Sequence, residues 1–74
     1  MNIGIPKESR PGEFRVGLSP VGVRLLKGAG HTCFLEAGAG AGSGFPDEQY
    51  RQAGATVVHS AEEAWRRADL VLKV

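Results

Sequence analysis

Ser19-Pro20-Val21-Gly22-Val23-Arg24-Leu25-Leu26-Lys27-Gly28-Ala29-Gly30-His31-Thr32-Cys33-Phe34-Leu35-Glu36-Ala37 holds a helix with both boundaries written out, followed at once by an apolar strand. Ser19 is an N-cap residue and Pro20 occupies the first helical position, where a missing N–H costs nothing. Val23 and Leu26 share one face, and Gly28 and Gly30 supply the stop. Thr32 to Ala37 then reads as a strand. Upstream, Asn2 to Pro6 is a second apolar run of strand type. Downstream, a helix opens at Asp47, turns Tyr50 and Ala53 inward and stops at Gly54, and a short strand spans Thr56 to Val58 with uncertain ends. Ser60-Ala61-Glu62-Glu63 has the spacing of a capping box, and Leu70 to Val74 reads as a buried strand. Strands alternating with single helices require crossover connections, hence parallel pairing with helices on the faces of the sheet. The fold class is α/β.

A chain of 74 residues can form at most one small domain, and such a domain buries only roughly 60% of its unfolded surface. One cysteine and two separated histidines give no disulfide and no structural metal site. Nine basic and eight acidic side chains, net +1, are spread along the chain. That distribution offers no stripe for nucleic acid and no polybasic tail for a membrane surface. No apolar run approaches the roughly 20 residues needed to span a bilayer, and the first residues read as a strand and not as an export signal, so a cytoplasmic location is expected. The last strand has no helix after it to cover it, which reads as an unfinished sheet.

Gly38-Ala39-Gly40-Ala41-Gly42-Ser43-Gly44 lies between a strand and a helix, the place of a dinucleotide fingerprint, but the spacing fails. Counting from Gly38, the third glycine would fall on Ser43; counting from Gly40, on Phe45. No lysine completes a Walker loop. The expectation is a tightly turned or flexible loop whose glycines supply positive φ angles or admit a close neighbour.

Chemistry is expected in Glu13-Phe14-Arg15-Val16-Gly17-Leu18, the connection before the Ser19 cap. Guanidinium is permanently charged and offers a planar fork of donors matched to a carboxylate or phosphate, so Arg15 is a candidate anion clamp. Glu8 and Glu13 flank it as possible partners for Arg15, Lys7 or Arg10. Lys73 has two readings: it snorkels from a strand end, or it faces the same crevice as Arg15 at the carboxyl ends of the strands. His31 and His59 lack a neighbouring carboxylate or serine and are read as structural. Cys33 sits in an apolar strand as a small protonated hydrophobe. Trp65, with Ala61, Ala64 and Ala68 at helical spacing, is read as a core or interface anchor.

Taken together, Ile3-Gly4-Ile5-Pro6-Lys7-Glu8, Glu13 to Pro20, Gly30-His31, Glu36 with Gly38 to Phe45, Ala53-Gly54-Ala55 and Leu72-Lys73-Val74 resemble one family along the entire chain. It is the amino-terminal domain shared by alanine dehydrogenases and the α subunit of proton-translocating nicotinamide nucleotide transhydrogenase. Glu13 to Pro20 and Gly42 to Phe45 look more like the former, and Arg10-Pro11-Gly12-Glu13 is also seen in the latter. The resemblance implies a Rossmann-like or flavodoxin-like substrate domain, of which residues 1–74 form the first part. It implies an oxidoreductase that interconverts L-alanine with pyruvate and ammonia using NAD, and a homo-oligomer when full length.

On the same resemblance, Arg15 grips the substrate carboxylate, and Lys73 opens the family's Lys-Val-Lys-Glu-Pro segment, whose second lysine contacts the substrate's carbonyl side. The family's catalytic histidine, its catalytic aspartate and its NAD-binding domain correspond to nothing in these residues, so no catalytic or cofactor-binding residue is assigned. The chain alone is expected to bind no NAD and to be inactive. Two alternatives stand beside this reading: a transhydrogenase segment that binds no amino acid, and a non-catalytic truncated interaction module.

Overall fold

The computed structural model describes residues 1–10 and 12–74. Its elements run β1 (Asn2–Ile5), α1 (Pro20–Gly28), β2 (Thr32–Glu36), a single 3-10 turn (Ala41–Ser43), α2 (Asp47–Ala53), β3 (Thr56–Val58), α3 (Ala61–Arg67) and β4 (Leu70–Val71). The four strands form one parallel sheet in the order β3-β2-β1-β4. The expected α/β class, strand count and helix count are therefore borne out.

Alternation along the two central strands sorts their side chains to opposite faces. Ile3 and Ile5 of β1 and Cys33 and Leu35 of β2 join Val23 of α1 and Tyr50 and Ala53 of α2 in one core. Phe34 and Val58 point the other way and meet Ala64 of α3. Arg67 closes that smaller core by laying its guanidinium 5.6 Å from the centroid of the Phe34 ring. On this face α3 comes very near the sheet: a Cβ on Gly4 would lie 2.5 Å from the Ala64 carbonyl oxygen. Only glycine permits so close an approach of helix to strand.

The helix boundaries follow the sequence signals. The Ser19 hydroxyl accepts from the Gly22 N–H, and the Ala29 N–H closes the other end of α1 on the carbonyls of Leu25 and Leu26. Gly54, at φ 107°, is the left-handed stop of α2. The Ser60 hydroxyl accepts from Glu63 N at 3.1 Å, the serine's half of the expected capping box.

Two expectations are corrected. The last strand ends at Val71 and does not reach Val74. Leu72 N still donates to Gly4 O at 2.9 Å, but β1 runs into Pro6, which has no N–H to continue a ladder. Of the two readings of Trp65, core or interface anchor, the core one fails: the side chain is 52% exposed, because Ala64 takes the inward position of α3. The glycine run follows the tightly turned reading, with a 3-10 turn in its middle and positive φ at Gly38 and Gly44.

Candidate functional site

Parallel strands deliver their following loops to one end of the sheet, and here the chemistry-bearing side chains gather at that end. The loop after β1 carries Lys7, Glu8, Glu13 and Arg15, and the loop after β2 is the glycine run. Between them lies a cavity of ≈ 280 Å³, lined by Lys7, Glu8, Glu13, Phe14, Arg15 and residues of the glycine loop.

Several bonds fix the Arg15 segment. Glu13 N donates to Arg10 O at 3.1 Å, closing a turn that contains Gly12 at φ 78°. Ser43 Oγ donates to Phe14 O at 2.6 Å, and Tyr50 Oη donates to Leu18 O at 2.7 Å. Gly42 lies close under Phe14, since a Cβ there would stand 3.1 Å from the Phe14 backbone. The glycine loop thus serves as a platform for the arginine loop, which is the close-neighbour role expected of it.

The Arg15 side chain is 73% exposed, and that of Glu13 is 11% exposed. Glu13 Oε1 accepts from Arg15 N at 2.8 Å and from Arg15 Nε at 2.9 Å, while Oε2 accepts from Arg15 Nη2 at 2.8 Å. These bonds, first from the side chain and then from the backbone of Arg15, hold the Glu13 carboxyl down at about 2. The same pairing raises the Arg15 guanidinium above its ordinary value. Glu8 is engaged differently: its Oε2 accepts from Val74 N at 2.9 Å, tying the β1 loop to the segment after β4.

Lys73 does not share the Arg15 cavity, contrary to the one-crevice reading. It lines a second depression of ≈ 400 Å³ with Pro6, Lys7, Glu8, Glu36 and Trp65. Lys7 and Glu8 border both. Lys7 is the residue that sequence reasoning passed over as a site candidate. Its signal was available, because it directly follows Pro6 at the carboxyl end of a central strand.

The glycine loop does not fit a dinucleotide. Asp47 Oδ1 accepts from Gly38 N at 2.9 Å, and the first turn of α2 carries Asp47 and Glu48. Carboxylates at a helix start occupy the position that favours an anion and would repel a pyrophosphate. Among the described residues no cluster of three or more metal-ligating side chains forms, and no helix is long and apolar enough to cross a membrane.

Known proteins match this chain throughout. The family model "Alanine dehydrogenase/PNT, N-terminal domain" matches residues 4–74. An alanine dehydrogenase of Bilophila wadsworthia is 51% identical over 74 residues, and one of Mycobacterium tuberculosis 46%. The chain is covered completely in both alignments but spans only 19% and 20% of those relatives. Among solved structures, an L-alanine dehydrogenase superposes with a TM-score of 0.96 at 57% identity, covering 99% of this chain and 20% of its own. A transhydrogenase from Sinorhizobium meliloti superposes with a TM-score of 0.89 at 44% identity, with the same coverages. On sequence and architecture together, the chain belongs to the alanine dehydrogenase/PNT N-terminal domain family.

Proposed function

We propose that these 74 residues are the first part of the substrate domain of an NAD-dependent alanine dehydrogenase, an enzyme that interconverts L-alanine with pyruvate and ammonia. The observation that carries the reading is Arg15 itself, an exposed guanidinium on a pinned loop, facing a cavity at the carboxyl ends of β1 and β2. A substrate carboxylate bound there by two parallel hydrogen bonds is fixed in orientation as well as in place. Arg15 then positions the reacting carbon and takes no part in bond making. Lys73, in the neighbouring depression, borders the same β1 loop and lies at the start of the segment that supports the carbonyl side of the substrate.

In the complete enzyme NAD supplies the hydride acceptor, and no residue of this chain is assigned to it. The acidic start of α2 supports that division of labour. The complete enzyme is taken to be a cytoplasmic homo-oligomer. Steady-state kinetics of the complete enzyme test the role of Arg15: Arg15→Ala should raise KM for pyruvate by about 100-fold, as expected when a charge-assisted pair is lost, and leave KM for NADH near its original value. An unchanged KM for pyruvate removes Arg15 from the site.

The likeness to the transhydrogenase structure supports a second reading, in which hydride passes between two nicotinamide cofactors and no amino acid is bound. Calorimetric titration of the complete protein with pyruvate separates the two. Saturable binding favours the dehydrogenase, and its absence favours the transhydrogenase.

A further inference from the structure

A guanidinium can hold a carboxylate on its side edge, Nε with Nη2, or on its outer end, Nη1 with Nη2. In Arg15 the side edge is already taken by Glu13, at 2.9 Å and 2.8 Å. Among the described residues no acceptor meets Nη1. Glu13 Oε1 also accepts the backbone N–H of Arg15 at 2.8 Å, so one carboxylate holds both the main chain and the side chain of the same residue. The carboxylate is seated in the loop and the guanidinium stands out of it. We infer that Glu13 is a positioning residue, which locks Arg15 by its side edge and thereby presents the outer end to the incoming carboxylate.

The alternative is that Glu13 is a competitor occupying the substrate's place. Two features argue against it. A substrate on the side edge would have to replace the bond to the Arg15 main chain as well, and the outer end needs no such exchange. The bonds from Arg15 also hold the Glu13 carboxyl down at about 2, so it stays anionic and keeps its hold on the arginine across the neutral range. Leaving one side chain pre-ordered reduces the entropy that binding must overcome.

The inference rests on Arg15 being the substrate clamp, and the experiment separates the two claims. Arg15→Ala, Glu13→Gln and the double variant are compared in the complete enzyme by KM for pyruvate, KM for NADH, kcat and melting temperature. Glutamine keeps the shape but turns an N–H₂ towards the arginine. Glu13→Gln should raise KM for pyruvate about 10-fold, in line with the cost of a misplaced binding group, with KM for NADH and kcat within about twofold. In the Arg15→Ala background it should add nothing, because Glu13 acts only through Arg15.

If Arg15→Ala leaves KM unchanged, the clamp reading fails and this inference with it. If Arg15→Ala raises KM and Glu13→Gln does not, only the positioning role is overturned. A lower KM in Glu13→Gln makes Glu13 a competitor, and a matching rise in KM for NADH makes it merely structural; either overturns the inference. Should the glutamine variant not fold, Glu13→Asp is read by the same criteria, since it keeps the charge but cannot reach both donors.

Discussion

Tyr50 connects α2 to the arginine loop through one hydroxyl, which donates to Leu18 O across 32 residues of sequence. Tyr50→Phe removes that bond and nothing else, so the chain should lose about 1 kcal/mol of stability in urea denaturation. The phenol also gives a pH signature. Burial first, and the nearby Asp47 carboxylate second, push Tyr50 up to about 12 from its ordinary value of 10.0. Because the folded state holds the proton more tightly, this stabilisation is complete below pH 10 and is lost as pH rises through 12. Tyr50→Phe should therefore show the flatter stability profile between those values. At this scale the sequence was half legible. Spacing turned Tyr50 inward, and residue type with position singled out Arg15 and offered Glu13 as its partner, yet nothing local announced the bond to Leu18. Such a contact depends on how a loop and a helix distant in sequence meet, and the exposure of Trp65 is likewise decided by which side chain of α3 meets the sheet.

Loops and helices of this chain are set by glycines with opposite jobs. Gly40 has ordinary backbone angles, but a Cβ on it would lie 2.5 Å from Tyr50 Cε2 and 2.8 Å from Phe45 O. Gly28, the last residue of α1, has nothing within 4 Å of its virtual Cβ. Gly40→Ala should thus destabilise by about 1–3 kcal/mol through overpacking, whereas Gly28→Ala should stabilise by about 0.4–1 kcal/mol by restricting the unfolded chain. Chemical denaturation of the pair checks both, and equal shifts would contradict the packing argument. Element ends with local chemistry were readable in advance: Ser19, Pro20, Gly54 and Ser60 all act where their types predict. The end of β4 was not, because its length is decided by Pro6, just past the end of another strand.

The α/β class followed from the simple alternation of apolar runs and capped helices, and the sheet order follows only from which strands lie beside β1. Strand order depends on which way each crossover turns, and no residue type encodes that alone. Since the chain spans about a fifth of the relatives it matches, and its glycine loop opposes a pyrophosphate, the purified 74-residue chain should give no NADH oxidation with pyruvate and ammonia. A measurable rate would contradict the division of labour proposed for it. The two hydroxyl pins at Ser43 and Tyr50 also bear on synthesis. Phe14 O and Leu18 O precede their donors, Ser43 Oγ and Tyr50 Oη, by 29 and 32 residues along the chain. During translation the arginine loop is thus made before it can be set, and setting waits until the second helix has emerged.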